Sequence, residues 1–586
     1  MNLKWNLDEL FASAEECLAS FVEIDNACKR VERFRNEELT ADSLKMMLDE
    51  RFECQSMAYK AQVYGSLMYY TNISSEETKA LKSAVEKKYS DIVERLAFVD
   101  EKIVNEGADR VSEMLFQNEE AAIYRVYIDG LFKKDRHVVA SEEKAQLQKE
   151  INALLNEYNA LVNGVKIEPL IIDGKKIELT LHDVGIYLVS RDCDTRKSAF
   201  ENLNAAYESV LERAADILND IYERRAEVSK IEGYASVLEA SLDKEDVESL
   251  IIDKLIACVH KNLPFLQKYM ALKADYMGIE GAHLYDLGVP IDFDVRRKYP
   301  IDEGVRIVKE AFSVLGDDYV SLAMKLMDEG HVDAQANDER HPTIVFSWLG
   351  YSFLSYKENY NDLKNLVHEL GHSINDSLSL HLPFPYRIST VFTGETASIT
   401  NEILLNRCLL EQASDDEERA FYLSKEIDNF VTSLYRQTMY TEFEKELYEQ
   451  LERGSKLTMS SLNERYMRLV KTYYGDEVVY DEANATEWVR LGKLYRWAFY
   501  SYNYATGIVI ANAVYSKLKD KSLAVKDYIG FLSSGAKEPS LELLRSIGVD
   551  LTRDELFERA FEVLEEDMKE LETILAKKRL SLKDDK

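Results

Sequence analysis

The chain has 586 residues, 46% of them hydrophobic and 31% charged, a composition that folds into a packed core rather than staying disordered. At this length one hydrophobic core stops growing, so two or more lobes are expected. A formal net charge of −33 and a pI near 4.8 exclude a surface that tracks nucleic-acid phosphates or anionic lipid, since both need clustered Lys and Arg.

The amino terminus, MNLKWNLDELF, carries an acid at Asp8 and no apolar core of a signal peptide, and nowhere do roughly 18 apolar residues run together. These features predict an untargeted, cytoplasmic protein without a membrane span. Only eight prolines occur, the first at Pro169, so helix breakers are scarce and long helices follow. Ser141 to Leu161 and Arg191 to Leu218 place apolar residues at three- and four-residue spacing among Glu and Lys, which predicts amphipathic helices. Between them, Val165 to Leu181 sets two β-rich runs around Asp173 and Gly174 and predicts a β-hairpin. The expected division is an N-terminal helical lobe, residues 1–190, and a catalytic lobe, residues 191–586. Pro342 to Tyr356, PTIVFSWLGYSFLSY, is β-branched and aromatic, is broken by Gly350, and predicts a short sheet. The fold class is therefore mainly α with a small sheet and a hairpin. The six cysteines are widely separated, with no CxxC pair, and read as reduced thiols.

Residues 368 to 372 read HELGH inside the helical segment DLKNLVHELGHSINDSL. Two histidines at i and i+4 lie about 40° apart around a helix and one turn up, so both imidazoles reach one ion. Zn²⁺, one per chain, is the natural occupant. Glu369, between them, is placed to take the proton of an attacking water and pass it to a leaving amine. A third protein ligand is required, and Glu395, in VFTGETASITNEILL, supplies it; Glu402, seven residues further on the same helical face, can orient a ligating histidine. The spacing separates known solutions. A continuous HExxHxxGxxH motif would need Gly at 375 and His at 378, where Asn375 and Leu378 stand. Glutamates 19 or 20 residues after the second histidine are also missing, because those positions are Val391 and Phe392. The other histidines, His137, His182, His260, His283, His331, His341 and His381, have no ligand-like spacing and read as structural or exposed.

Glu395 follows His372 after 22 intervening residues, 373 to 394, an arrangement that resembles the thimet oligopeptidase and oligoendopeptidase F family. WNLDELF, SRDCDTRKSAFENL, GYASVLEASL, LYDLGVP, FLSYKENYNDLKNLVHELGHS, PFPYRISTVFTGETASITNE, YRQTMYTEFEKEL and YSYNYATG resemble the family's segments in matching order along nearly the whole chain. The resemblance implies a two-lobed, clam-like helical enzyme with zinc at the bottom of a deep channel, cutting short peptides internally. It also implies that Phe353, Leu354, Ser355 and Tyr356 form an edge strand beside the active-site helix that pairs with peptide backbone, and that Tyr500, Tyr502 and Tyr504 serve catalysis.

Three departures from the family pattern stand out. No histidine follows His381, and the family's transition-state histidine falls at Leu494 or its neighbour Lys493; Lys493 or Tyr495 is the expected substitute donor. Asn375 replaces a histidine that is not a zinc ligand, and the glycine-rich loop before the sheet keeps only Gly350 within HPTIVFSWLGYS. The leading function is a zinc endopeptidase of oligopeptides, with no nucleic-acid or membrane partner and an undecided oligomeric state. A catalytically silent peptide-binding homologue and a zinc carboxypeptidase are the alternatives; intact HELGH and Glu395 favour the enzyme.

Overall fold

A computed structural model of the chain describes residues 3–135, 137, 142–291, 297–337, 339–340 and 346–584. Helices dominate, and among the described residues the strands form a two-stranded hairpin and a three-stranded sheet. The chain divides into two compact units, each assembled from three separate stretches: residues 1–138, 296–408 and 514–549 in the first, and 139–295, 409–513 and 550–586 in the second. This partition differs from a single boundary near residue 190, because helices find their packing partners far away in sequence. No helix among the described residues is long and apolar enough to cross a membrane.

In the first unit, helices Ala14–Glu32, Ala41–Thr71 and Glu76–Leu96 each start on a hydroxyl cap, Ser13, Thr40 and Ser75, that accepts a first-turn backbone N–H. They bury stripes such as Ile24, Ala27, Cys28 and Val31 against Leu44, Met47 and Leu48. The segment that carries HELGH is the helix Tyr360–Ser379. Asn359 caps it in a reciprocal capping box with Asp362. Leu363, Leu366, Val367, Leu370 and Ile374 are fully buried along one face, which anchors the opposite imidazole-bearing face.

The sheet is the second anchor. Strands Val332–Asp333, Phe346–Trp348 and Tyr351–Phe353 pair with Tyr351–Phe353 in the centre, parallel to the first and antiparallel to the second. Leu349 and Gly350 make the two-residue turn, both at positive φ (51° and 81°), the requirement of a type I′ hairpin and one that a leucine rarely meets. Residues Pro342 to Val345 of the expected sheet lie outside the described residues. The hairpin is stitched to the HELGH-bearing helix: Ser347 Oγ and Ser352 Oγ lie 2.8 and 2.6 Å from Ser373 Oγ, and the Gly350 N–H donates to Asp376 Oδ2 at 3.0 Å.

In the second unit the expected hairpin forms as Leu170–Ile172 paired with Lys175–Ile177, turning through Asp173 and Gly174 at positive φ. The helix expected over Ser141 to Leu161 is observed as Glu142–Asn163, with Ser141 outside the described residues. The helix expected over Arg191 to Leu218 is instead two, Cys193–Glu208 and Leu211–Ile231. The break at Ser209 and Val210 contains no proline or glycine, and the buried positions Arg196, Ala199, Phe200, Leu203, Tyr207, Leu211, Ala214 and Leu218 run through it at helical spacing, so periodicity carried no trace of it.

Candidate metal centre

His368 and His372 project from one face of helix Tyr360–Ser379, and Glu395 stands at the junction of the short turn Val391–Gly394 with helix Thr396–Gln412. Glu395 Oε2 lies 3.5 Å from His368 Nε2 and 3.6 Å from His372 Nε2. A tetrahedral ion about 2.1 Å from each donor requires donor separations of about 3.4 Å, so these three side chains fit a zinc-sized cation. All three keep a quarter to a third of their side-chain surface exposed (24%, 25% and 32%), leaving an open face. They form one of the two groups among the described residues whose ligand atoms converge closely enough to hold a metal ion.

The surroundings fix the ligands in place. Glu402 Oε1 sits 2.6 Å from His368 Nδ1, which leaves Nε2 to face Glu395, and its other oxygen meets Lys364 Nζ at 3.2 Å. Burial alone would raise the Glu402 carboxyl, but Lys364 and His368 hold it down at about 2. Burial opposes charge on both imidazoles; the Glu402 hydrogen bond and the neighbouring carboxylates outweigh it at His368, pushed up to about 9, whereas His372, beside the charged His368 ring, is pushed down to about 3. Glu369 is 4% exposed and its Oε2 has no hydrogen-bond partner. Burial, reinforced by Glu395 and Glu402 against the attraction of His368, pushes it up to about 7. A buried carboxylate oxygen without a donor is costly, and such costs concentrate where chemistry is done.

Gly371, inside HELGH, is the residue on which this convergence depends. A Cβ added there would lie 2.6 Å from Ser398 Cα and 2.7 Å from Ser398 N, so the active-site helix and the helix that follows Glu395 touch backbone to backbone. Asn401 Nδ2 donates to Val367 O at 3.3 Å and Tyr319 OH donates to Asn401 Oδ1 at 3.0 Å, locking the same crossing. Lys364, Gly371, Asn401 and Tyr319 were not singled out from sequence. Lys364 stands one turn before His368, and that i, i+4 spacing is a signal that was present; the contacts of Gly371 and Tyr319 are tertiary and left none. Asn375, where the family carries a histidine, donates from Nδ2 to Ser389 Oγ at 2.9 Å and ties the helix to the segment leading to Glu395.

The match of the whole chain to known proteins now decides the class. A family model described as Peptidase family M3 matches residues 186–563. The chain belongs to peptidase family M3. Oligopeptidase PepF of Bacillus subtilis is 28% identical over 593 positions, covering 98% of this chain and 87% of that relative. An oligoendopeptidase F homolog of Borreliella burgdorferi is 25% identical over 582 positions, covering 98% of each chain. Among solved structures, a putative peptidase from Chlamydophila abortus superposes with a TM-score of 0.87 at 24% identity over 97% of this chain and 98% of that one. The oligoendopeptidase-F from Enterococcus faecium does so with 0.74 at 24% identity over 96% and 99%. The M3 chain is thus a metalloendopeptidase of the oligoendopeptidase F type, as its motifs implied, and its mainly helical fold is theirs.

The remaining expected site residues of this M3 peptidase divide. Of Phe353 to Tyr356, Phe353 ends the central strand Tyr351–Phe353, the N–H groups of Leu354 and Tyr356 donate on one side to Asp333 O and Ala334 O, and Phe353, Leu354 and Tyr356 are buried. Tyr351 to Phe353 are flanked on both sides and have no free ladder to offer a peptide; among the described residues the outer strands beside them are Val332–Asp333 and Phe346–Trp348. In the second unit, Tyr500 and Tyr504 are half-buried with rings 5.6 Å apart, while Tyr502 is 1% exposed. Lys493 Nζ lies 4.2 Å over the Tyr504 ring and donates to Gln437 Oε1 at 2.9 Å; burial, with Arg436 nearby, lowers it to about 8. Tyr495 is no substitute donor, because its ring is fully buried, stacks on Tyr158 at 3.7 Å and turns its hydroxyl to Ala214 O at 3.4 Å.

Proposed function

We propose that this chain is a zinc-dependent oligoendopeptidase that hydrolyses internal bonds of short peptides. The observation that carries the reading is the pair of imidazole Nε2 atoms at 3.5 and 3.6 Å from a single Glu395 oxygen, with Glu369, whose Oε2 has no hydrogen-bond partner, one residue along the same helix. His368, His372 and Glu395 would hold the ion, and Glu402 keeps His368 in the tautomer that presents Nε2. Zinc, when bound, supplies a Lewis acid that polarises the scissile carbonyl and acidifies water.

The chain's own residues do the rest. Glu369, buried, between the two imidazoles in sequence and with its Oε2 free, accepts the proton of the attacking water at its carboxylate and delivers it to the leaving amine. Tyr500 and Tyr504 are the proposed hydroxyl donors to the developing oxyanion, Tyr502 being buried, and Lys493 is proposed to stand in for the family's imidazole. Peptide backbone would pair along Phe346–Trp348, an outer strand, with main-chain hydrogen bonds that make few demands on side chains.

The test is to incubate the purified protein, with and without a chelator, with a mixture of short peptides and an unfolded protein and to read the cuts by mass spectrometry. Internal cuts confined to the short peptides, abolished by chelation and restored by zinc, are expected. Chelator-insensitive products, or none with zinc restored, would replace this reading with a peptide-binding one; release of C-terminal residues alone would replace it with a carboxypeptidase.

A further inference from the structure

Two costs meet at one hydrogen bond in the second unit. Phe499 holds φ at +50°, a conformation that a bulky side chain adopts only when its surroundings force it. Its N–H donates at 2.9 Å to Glu444 Oε1, and Glu444 is a carboxyl group 1% exposed in helix Gln437–Glu452. Around it lie Tyr222, Tyr448 and Arg225; Phe499 stacks on Tyr448 at 5.4 Å and Tyr448 on Tyr222 at 4.3 Å. An apolar side chain at 444 would pack against these rings without burying an ionisable group, so core packing does not account for the glutamate.

The hydrogen bond is one of several clamps on the same turn, the stretch Trp497–Ser501 between helices Gly492–Arg496 and Tyr502–Lys519. Ser241, from helix Val237–Asp243, donates to Ala498 O at 2.8 Å within the turn, and Arg225, from helix Leu211–Ile231, donates to Leu494 O and Tyr495 O in the helix that leads into it. What the clamped turn presents is an open cluster: Trp497, 51% exposed, lies 4.8 Å from Tyr500, which abuts Tyr504 under the Lys493 ammonium. We infer that Glu444 is a positioning residue, which accepts the Phe499 amide to hold this turn in its left-handed form and so sets the donor geometry of Tyr500 and Tyr504. The inference rests on the proposed role of those two tyrosines.

The experiment compares Glu444→Leu and Glu444→Gln in the full-length, zinc-loaded protein, measuring kcat and KM on a short internally quenched peptide together with amide hydrogen exchange. Glu444→Leu is expected to lower kcat by about tenfold or more while KM moves less, since misplaced groups of about 1 Å cost up to about a hundredfold. Exchange should quicken over 494–504 and stay unchanged over 360–379. Glu444→Gln keeps an acceptor oxygen and is expected to stay within about threefold of wild type. A wild-type kcat in Glu444→Leu overturns the inference, as does equal damage in the glutamine variant or quickened exchange throughout the second unit. Tyr500→Phe and Tyr504→Phe separate the two layers: if both leave kcat unchanged while Glu369→Gln abolishes it, the tyrosine role falls and this inference with it; if they lower kcat and Glu444→Leu does not, only this inference falls.

Discussion

Gly371→Ala tests what brings the metal ligands together. Ordinary carbon contacts lie at about 3.5–4.0 Å, whereas the added methyl would sit 2.6, 2.7 and 2.9 Å from Ser398 Cα, N and Oγ. Two of those atoms are backbone, so no rotamer change relieves the clash, and helix Thr396–Gln412 has to retreat by about 1 Å. Ser398 lies three residues after Glu395 and four before Glu402, so the retreat carries both carboxylates. The donor separations of 3.5 and 3.6 Å then open toward about 4.5 Å, beyond what a four-coordinate zinc spans. Two effects oppose each other in the metal-free protein: alanine improves helix propensity by about 1 kcal/mol, and overpacking costs about 1–3 kcal/mol. The net change in stability should be small, within about 2 kcal/mol of destabilisation. Zinc binding has no such compensation, and about 1.5–3 kcal/mol of misfit there weakens affinity by about 10- to 100-fold. Titration against a chromophoric chelator gives the affinity, and melting of the chelated protein gives the stability. Zinc affinity within twofold of wild type would refute the reasoning, because it would mean that the helices slide past each other without disturbing the carboxylates.

Glu369→Gln leaves the three ligands intact, so turnover should fall by about 10²–10⁴-fold with zinc content by elemental analysis unchanged; loss of metal from this variant would move Glu369 into the ligand set. Glu402→Gln removes the charge that orients His368 and should weaken zinc binding by about 10- to 100-fold, read in the same chelator competition, with an unaltered affinity ending its assigned role. A fourth prediction concerns pH. Burial pushes the Glu444 carboxyl up to about 8 against the pull of the Phe499 amide and Arg225, so the folded state holds this proton more tightly than the unfolded chain, where the value is 4.5. Its contribution to stability is therefore complete below pH 4.5 and is lost as pH rises toward 8, by up to about 5 kcal/mol. Denaturant unfolding at pH 5 and pH 9 should show Glu444→Gln losing less stability over that interval than wild type, and parallel losses would show that the carboxyl does not ionise inside the fold.

The shared face of the histidine pair was legible because its geometry is local, whereas the approach of Glu395 rests on the tertiary crossing at Gly371. His368 and His372 share a face through nothing more than helical pitch, while Glu395 stands just before the helix Thr396–Gln412 that carries Glu402. The Asp173–Gly174 turn was legible for the same reason, since two residues of suitable chemistry suffice for a tight hairpin. Helix ends with capping boxes obey the same local logic, whereas the break at Ser209 and Val210 does not: the apolar stripe continues through it, and what bends the chain is the packing on either side.

Where the reading went astray, the deciding partner lay outside the segment. Phe353 looks like part of an edge strand until Phe346–Trp348 pairs with Tyr351–Phe353 on the side away from Val332 and Asp333. Tyr495 and Lys493 look equivalent as donors, two residues apart in one short helix. They separate only because Tyr158, arriving from helix Glu142–Asn163, stacks on the tyrosine at 3.7 Å and turns its hydroxyl into the core. The lysine, on a different face of the helix, keeps its ammonium over the half-buried ring of Tyr504. A polar group counts as chemistry only after the fold has declined to satisfy it. For Lys493 the partners met are neutral, Gln437 and an aromatic ring, and this residual demand, rather than its residue type, is what keeps it among the candidates.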